Sequence, residues 1–156
     1  MGEGSPPAAS ERGLKMFELK IVRERRQGYG TVRRIRDAAQ VYEAFREEFG
    51  RLDREMFVAL LLDGRNHVLG FNVVSIGSLN AALVHPREVF KAVILANAAA
   101  IILVHNHPSG DPEPSAEDRA LTARLEQAGE LLGIRVVDHI VVGDGSYRSK
   151  SDGWSS

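Results

Sequence analysis

One uninterrupted apolar run sets the first constraint on the fold. Met56–Leu62 is Met-Phe-Val-Ala-Leu-Leu-Leu, and an apolar run of this length is typical of a strand buried inside a sheet. The next dipeptide, Asp63-Gly64, favours a hairpin turn, and Val68–Ile76 supplies a return strand. The sequence therefore predicts a protein built around a β-sheet that contains this hairpin.

Helical patterns alternate with further strands along the 156 residues, a length that suits one domain. Asp37 is a good N-cap for a helix that Gly50 ends, and Pro86 suits the first turn of a second helix running to about residue 98. Ser115 begins a third helix, which Gly133 ends. Further strands are predicted at residues 17–23, around 101–104, over 134–142 and near residue 147, with a polar loop at 105–114. This order predicts a layered α/β domain with a mixed sheet.

Charge is distributed unevenly, although the formal net charge is only −1. Residues 10–36 hold nine Lys or Arg and three Asp or Glu, whereas the rest of the chain from residue 37 is acidic. The basic segment could contact an anionic partner such as nucleic acid, but a solvated strand and turn is the interpretation we favour. We divide the chain into a flexible tail at 1–13, a basic strand and turn segment at 14–36 and a folded domain at 37–156.

The absence of cysteine excludes several classes of protein at once. Disulfide scaffolds, thiolate zinc fingers, iron–sulfur proteins and cysteine-dependent enzymes all need this residue. The first thirteen residues lack the apolar run of a signal peptide, and the longest apolar stretch, at 92–104, is too short to span a bilayer and contains Asn97. We therefore expect a cytoplasmic protein without a membrane segment.

Two histidines and an aspartate form a candidate metal site. His105 and His107 are two residues apart at the end of a predicted strand, so both rings project to the same side if the chain is extended there. Asp118 follows in the first turn of the next helix, and the proline-rich loop between them can bring its carboxylate near the rings. Three such ligands and one open position are typical of a catalytic zinc. The alternatives are that Ser115 and Asp118 form a capping box and that both histidines are polar residues at a strand end.

A zinc hydrolase also needs a carboxylate that takes a proton from water and delivers it to the leaving group. Glu55 immediately precedes the predicted strand Met56–Leu62, so it lies at a sheet edge where a site can open. The alternative is a surface charge within Asp53-Arg54-Glu55, and the residues alone favour that alternative. The remaining histidines are interpreted as ordinary residues; Asp138 or His139 could support the metal ligands, but strand packing is the favoured role.

These residues together resemble a known family. Glu55 with the run after it, then His105-x-His107-Pro108 with Ser115 and Asp118, is similar to the JAMM motif of JAB/MPN metalloproteases, and most similar to their RadC-like branch. Further matching segments lie at 77–81, 85–90, 105–112, 132–134 and 138–140. The matching motifs occur in the same order and at the same spacings over about residues 31–154.

The resemblance implies an α/β/α fold similar to that of cytidine deaminases around one zinc per chain. It implies that His105, His107 and Asp118 are the ligands. It also implies that Glu55 is the acid and base acting on the metal-bound water, and that Ser115 stabilises the oxyanion. The implied activity is that of a metallopeptidase or isopeptidase acting on an amide bond of a peptide or protein.

Two other functions are left open by the sequence. RadC-like proteins have a traditional link to DNA repair, so a DNA-associated accessory protein is one alternative, although no helix-hairpin-helix pattern precedes Glu55 in this sequence. An inactive scaffold that binds partners is the other alternative, and the intact set of candidate ligands argues against it. Zinc deaminases and thermolysin-type proteases are excluded, since the first need cysteine and the second a His-Glu-x-x-His helix.

Overall fold

A computed structural model describes residues 4–5, 13–30, 32–77 and 84–154. In this part of the chain three helices alternate with a five-stranded sheet of order β2-β1-β3-β4-β5. The strands are β1 Met56–Leu62, β2 Val68–Ile76, β3 Ala100–Asn106, β4 Arg135–Val142 and β5 Tyr147–Ser149. The helices are α1 Ala38–Gly50, α2 Pro86–Leu95 and α3 Ala116–Leu132. Only β3 and β4 are parallel neighbours, joined through α3, so the sheet is mixed as predicted.

The central strands are buried on both faces. All seven residues of β1 and all seven of β3 are buried. Alternate side chains of β1 point to opposite faces: Val58 and Leu60 pack with α1, whereas Phe57 and Leu61 pack with α2 and α3. This confirms the α/β/α layering.

The helices begin at capping side chains and end at backbone turns, largely where the sequence predicts. The Asp37 carboxylate accepts a hydrogen bond from the Gln40 backbone N–H at 3.0 Å and begins α1. The second helix ends at Leu95, three residues earlier than predicted. Asn97 has a left-handed backbone (φ 56°), and the Ala98 N–H donates to the Val93 carbonyl. This closed turn stops the helix and redirects the chain into β3.

The strand predicted at 17–23 is wrong. Residues 14–26 have no regular secondary structure and are exposed. Alternating apolar and charged residues favour a strand only where a neighbouring strand can pair with its backbone. Among the described residues, the segment before α1 meets the sheet at an isolated bridge between Arg34 and His67. Earlier in the same segment, the Gly30 N–H donates to the Ala44 carbonyl of α1 at 2.9 Å.

Some expectations fall outside the described residues. The predicted flexible tail at 1–13 does so except for residues 4, 5 and 13, as do residues 78–81 of the matching segment at 77–81. Within the described ranges, every helix is too short or too polar to cross a bilayer.

The loop after β3 lies directly over the end of β4. A Cβ added at Gly143 would be 2.3 Å from the Gly110 carbonyl oxygen and 2.8 Å from a ring carbon of Pro112. The His107 N–H donates to the Val142 carbonyl, and the Asp144 N–H to the Gly110 carbonyl. Glycine at position 143 therefore lets the loop that follows His107 approach the sheet this closely.

We predict that Gly143→Ala lowers the free energy of unfolding by about 1–3 kcal/mol, because the added methyl group overpacks this contact. Gly64→Ala is the matched control, since a Cβ at Gly64 meets no atom within 4 Å. The control should change stability by less than about 0.5 kcal/mol. Urea denaturation followed by circular dichroism measures both, and equal stability of the two variants would contradict the close contact.

Candidate metal centre

Strand β3 and the residue after it present two imidazoles to one point. His105 is fully buried near the end of β3, and the backbone stays extended through His107, whose N–H donates to the Val142 carbonyl of β4 at 2.9 Å. Both rings therefore lie on the same face of the sheet, as an extended chain predicts. Their Nε2 atoms are 3.1 Å apart.

The first turn of α3 adds a carboxylate to this pair. Asp118 Oδ2 lies 3.1 Å from His107 Nε2, and Asp118 Oδ1 lies 3.4 Å from His105 Nε2. The same carboxylate accepts the Ser115 N–H at 2.7 Å, while the Ser115 hydroxyl oxygen accepts the Asp118 N–H at 3.0 Å. The capping box is therefore present, and it orients Asp118 towards the histidines rather than competing with them.

The three ligand atoms fit the spacing that a metal ion requires. A tetrahedral zinc with bonds of about 2.0–2.1 Å separates its ligand atoms by about 3.3 Å. The two imidazole nitrogens are 3.1 Å apart, and they lie 3.1 and 3.4 Å from the two different oxygens of the Asp118 carboxylate. Two imidazole nitrogens and one carboxylate oxygen also form a donor set typical of metal sites in enzymes. His105, His107 and Asp118 can therefore hold a metal ion on three corners of a tetrahedron.

Each imidazole is fixed from behind through its other nitrogen. His107 Nδ1 is 2.8 Å from the Asp111 carbonyl oxygen, which can only accept, so Nδ1 carries a proton and Nε2 is the nitrogen that faces the site. His105 Nδ1 is 2.7 Å from His139 Nε2 in the neighbouring strand. His139 is fully buried, in keeping with the strand packing that the sequence analysis favoured. It also contacts a candidate ligand, which strand packing alone does not describe.

Charge at the site favours a cation. Burial raises the pKa of Asp118, but the His105 and His107 rings beside its carboxylate outweigh burial and hold that pKa well below its ordinary value. The hydrogen bond to Asp118 raises the pKa of His107, against the opposing effect of burial. Burial lowers the pKa of His139 well below its ordinary value. Without a metal, a proton on His107 places positive charge beside the Asp118 carboxylate. A bound divalent ion would supply that positive charge instead.

Glu55 lies across the sheet from His107. Phe57 of β1 pairs with His105 of the antiparallel β3, so two residues further out Glu55 and His107 are at the same level. Glu55 is half-buried, and its charge contributes to the raised pKa of His107.

Asn106 is a site residue that the sequence reasoning missed. Its side-chain oxygen accepts the Met56 N–H at 2.7 Å, and its side-chain nitrogen donates to the Arg54 carbonyl at 3.0 Å. One buried amide thus holds the backbone on both sides of Glu55. The sequence contains a signal for this role: Asn106 lies between His105 and His107, and strand alternation turns its side chain to the face of the sheet opposite the two rings.

The other polar residues that the sequence analysis considered have local roles. His67 pairs with Asp63 in the β1–β2 turn, and the His85 ring accepts the Arg87 N–H as the N-cap of α2. The Asp138 carboxylate binds Ser149 and Ser151 rather than a candidate ligand.

An open groove of about 760 Å³ reaches His107, with the loop at 107–110 on one side and α1 on the other.

The chain is similar to a described protein family and to several curated relatives. The RadC-like JAB domain family matches residues 35–154. A UPF0758 protein of Geotalea uraniireducens is 52% identical over 124 residues, which are 80% of this chain and 54% of that relative. A UPF0758 protein of Methanococcoides burtonii is 50% identical over 125 residues, with 80% and 55% covered. A third, from Desulforamulus reducens, is 57% identical over 108 residues, with 69% and 48% covered.

The chain spans about half the length of these curated relatives. The family match over residues 35–154 includes all three candidate ligands, His105, His107 and Asp118. The chain belongs to the RadC-like JAB domain family.

Proposed function

We propose that this chain is a zinc-dependent hydrolase of the JAB/MPN type that cleaves an amide bond in a peptide or protein. The observation that carries the proposal is the triangle of His105 Nε2, His107 Nε2 and the Asp118 carboxylate, with sides of 3.1–3.4 Å and Glu55 at the level of its outer edge. Three protein ligands and a nearby carboxylate are the arrangement of catalytic zinc sites rather than structural ones.

Each residue has a distinct task in this proposal. His105, His107 and Asp118 would hold the zinc, which when bound acidifies water and polarises a carbonyl group. Glu55 accepts a proton from the attacking water at its carboxylate and returns it to the nitrogen of the leaving amine. The Ser115 hydroxyl donates a hydrogen bond to the carbonyl oxygen as negative charge develops there.

The first prediction concerns zinc content. We expect the purified protein to hold about one zinc per chain, and His107→Ala to weaken zinc binding by more than about 100-fold, because removing a ligand costs more than disturbing its support. His67→Ala is the matched control, since that ring pairs with Asp63 away from the site. Competition with a chromogenic chelator measures the affinities. Wild-type protein that binds no zinc would reject the proposal.

The second prediction separates the chemistry from metal binding. Glu55→Gln should keep wild-type zinc content and lose about 10²–10⁴-fold in cleavage rate, since the amide cannot carry the proton. Glu130→Gln, an exposed carboxylate on α3, is the control and should cleave as the wild type does. The probes are a peptide pool from a digested proteome and a set of isopeptide-linked peptides, both read by mass spectrometry.

Full activity of Glu55→Gln would exclude its role as acid and base. A zinc-loaded wild type that cleaves neither pool would count against the hydrolase itself and favour an interaction scaffold.

The third prediction concerns Asn106. We expect Asn106→Ala to lower kcat by about 10–100-fold at unchanged zinc content, because the backbone around Glu55 loses the two hydrogen bonds that Asn106 makes and the carboxylate shifts. Asn72→Ala on the edge strand β2 is the control. The same peptide pools measure cleavage, and a parallel loss of zinc and activity would mean that Asn106 supports the ligands instead.

A further inference from the structure

A chain of three buried side chains lies behind His105. His105 Nδ1 is 2.7 Å from His139 Nε2, and His139 Nδ1 is 2.5 Å from the Thr122 hydroxyl oxygen. The Thr122 hydroxyl in turn donates to the Asp118 carbonyl oxygen at 2.7 Å. His105 and His139 are fully buried and Thr122 nearly so, hence these groups have only each other as partners for the nitrogens that face inward.

The direction of each hydrogen bond follows from the Asp118 carbonyl oxygen at the end of this chain, which can only accept. A carbonyl oxygen only accepts, so the single hydroxyl proton of Thr122 points at Asp118. The Thr122 oxygen must then accept from His139, which places a proton on His139 Nδ1. Aromatic rings of Phe57 and Trp154 pack against the His139 ring, and its two nitrogens are within hydrogen-bond distance of Thr122 and His105.

A neutral His139 with its proton on Nδ1 has a lone pair on Nε2. That lone pair accepts from His105, so the proton of a neutral His105 is on Nδ1. His105 Nε2 is consequently left with its lone pair directed at His107 and Asp118.

We propose that Thr122 and His139 are positioning residues that fix the Nδ1–H tautomer of His105, so that its Nε2 is ready to bind the metal. The inference rests on the proposed metal site. His107 reaches the same state through a main-chain carbonyl, that of Asp111. His105 lies within the sheet, where backbone carbonyls are used in strand pairing, and its proton is placed by side chains from β4 and α3 instead.

Thr122→Val and Thr122→Ser test the proposal as a pair. Valine keeps the shape and removes the hydroxyl, so His139 Nδ1 loses its acceptor. The proton of His139 then moves to Nε2, which reverses the hydrogen bond to His105 and places the His105 proton on Nε2. We expect Thr122→Val to bind zinc about 10- to 100-fold more weakly than wild type and Thr122→Ser to bind it within about 3-fold of wild type.

The tautomers themselves provide a readout independent of activity. Nitrogen-15 NMR of histidine-labelled, metal-free protein distinguishes a protonated ring nitrogen from one with a lone pair. Wild type and Thr122→Ser should show the proton of His105 on Nδ1, and Thr122→Val should show it on Nε2. A wild-type His105 with its proton on Nε2 would overturn the proposal whether or not any variant folds.

Ser149→Ala is the matched control. It removes a nearly fully buried hydroxyl from β5, one whose hydrogen bonds go to Asp138 and Ser151 rather than to His139 or His105. It should lower stability but leave the His105 tautomer and zinc affinity unchanged. A Thr122→Val variant that binds zinc as tightly as Ser149→Ala would overturn the positioning role alone. A wild type that binds no zinc would reject the proposed function, and this inference with it.

Discussion

A fully buried imidazole needs a partner for each of its two ring nitrogens, and His105 is such a ring in the middle strand of the sheet. An unpaired polar group at that depth would cost about 1–3 kcal/mol. Its Nδ1 is paired by His139 of the parallel neighbour β4, and its Nε2 faces His107 and Asp118. The packing of β4 and α3 against β3 is therefore tied to the polar needs of one side chain as well as to burial of the apolar core.

Asp118 combines two roles that the sequence presents as alternatives. A carboxylate has about four lone-pair sites on its two oxygens, so accepting the Ser115 N–H leaves others for the histidines. The capping box fixes the χ angles of Asp118 through the geometry of the helix end. The metal site therefore depends on helix α3 beginning at Ala116, and the local signal for that beginning is the same Ser115-x-x-Asp118 that bears a candidate ligand.

Local patterns predict most of the fold and the three side chains that can hold a metal ion. The apolar run and the turn after it give β1 and β2 at the residues observed, since burial and turn chemistry act there over a few residues. The same reasoning fails at 17–23, because an alternating pattern does not supply a neighbouring strand. Glu55 could be identified only through the family resemblance. Nothing in Asp53-Arg54-Glu55 separates it from a surface charge, and its position depends on the pairing of β1 with β3.

Asn106, which sequence reasoning missed, and His139, which it assigned mainly to strand packing, share one physical property: their partners are set by sheet register. Asn106 holds the backbone around Glu55 only because β1 runs antiparallel beside β3, and His139 meets His105 only because β4 runs parallel on the other side. A register slip of one residue in either pair would turn one of these side chains to the opposite face of the sheet. The middle strand β3 thus supplies the candidate ligand His105. On one side β1 follows directly after Glu55, and on the other side β4 supplies His139, which contacts His105 Nδ1. A change far along β1 or β4 that shifted its pairing would alter the chemistry at His105 without touching any ligand.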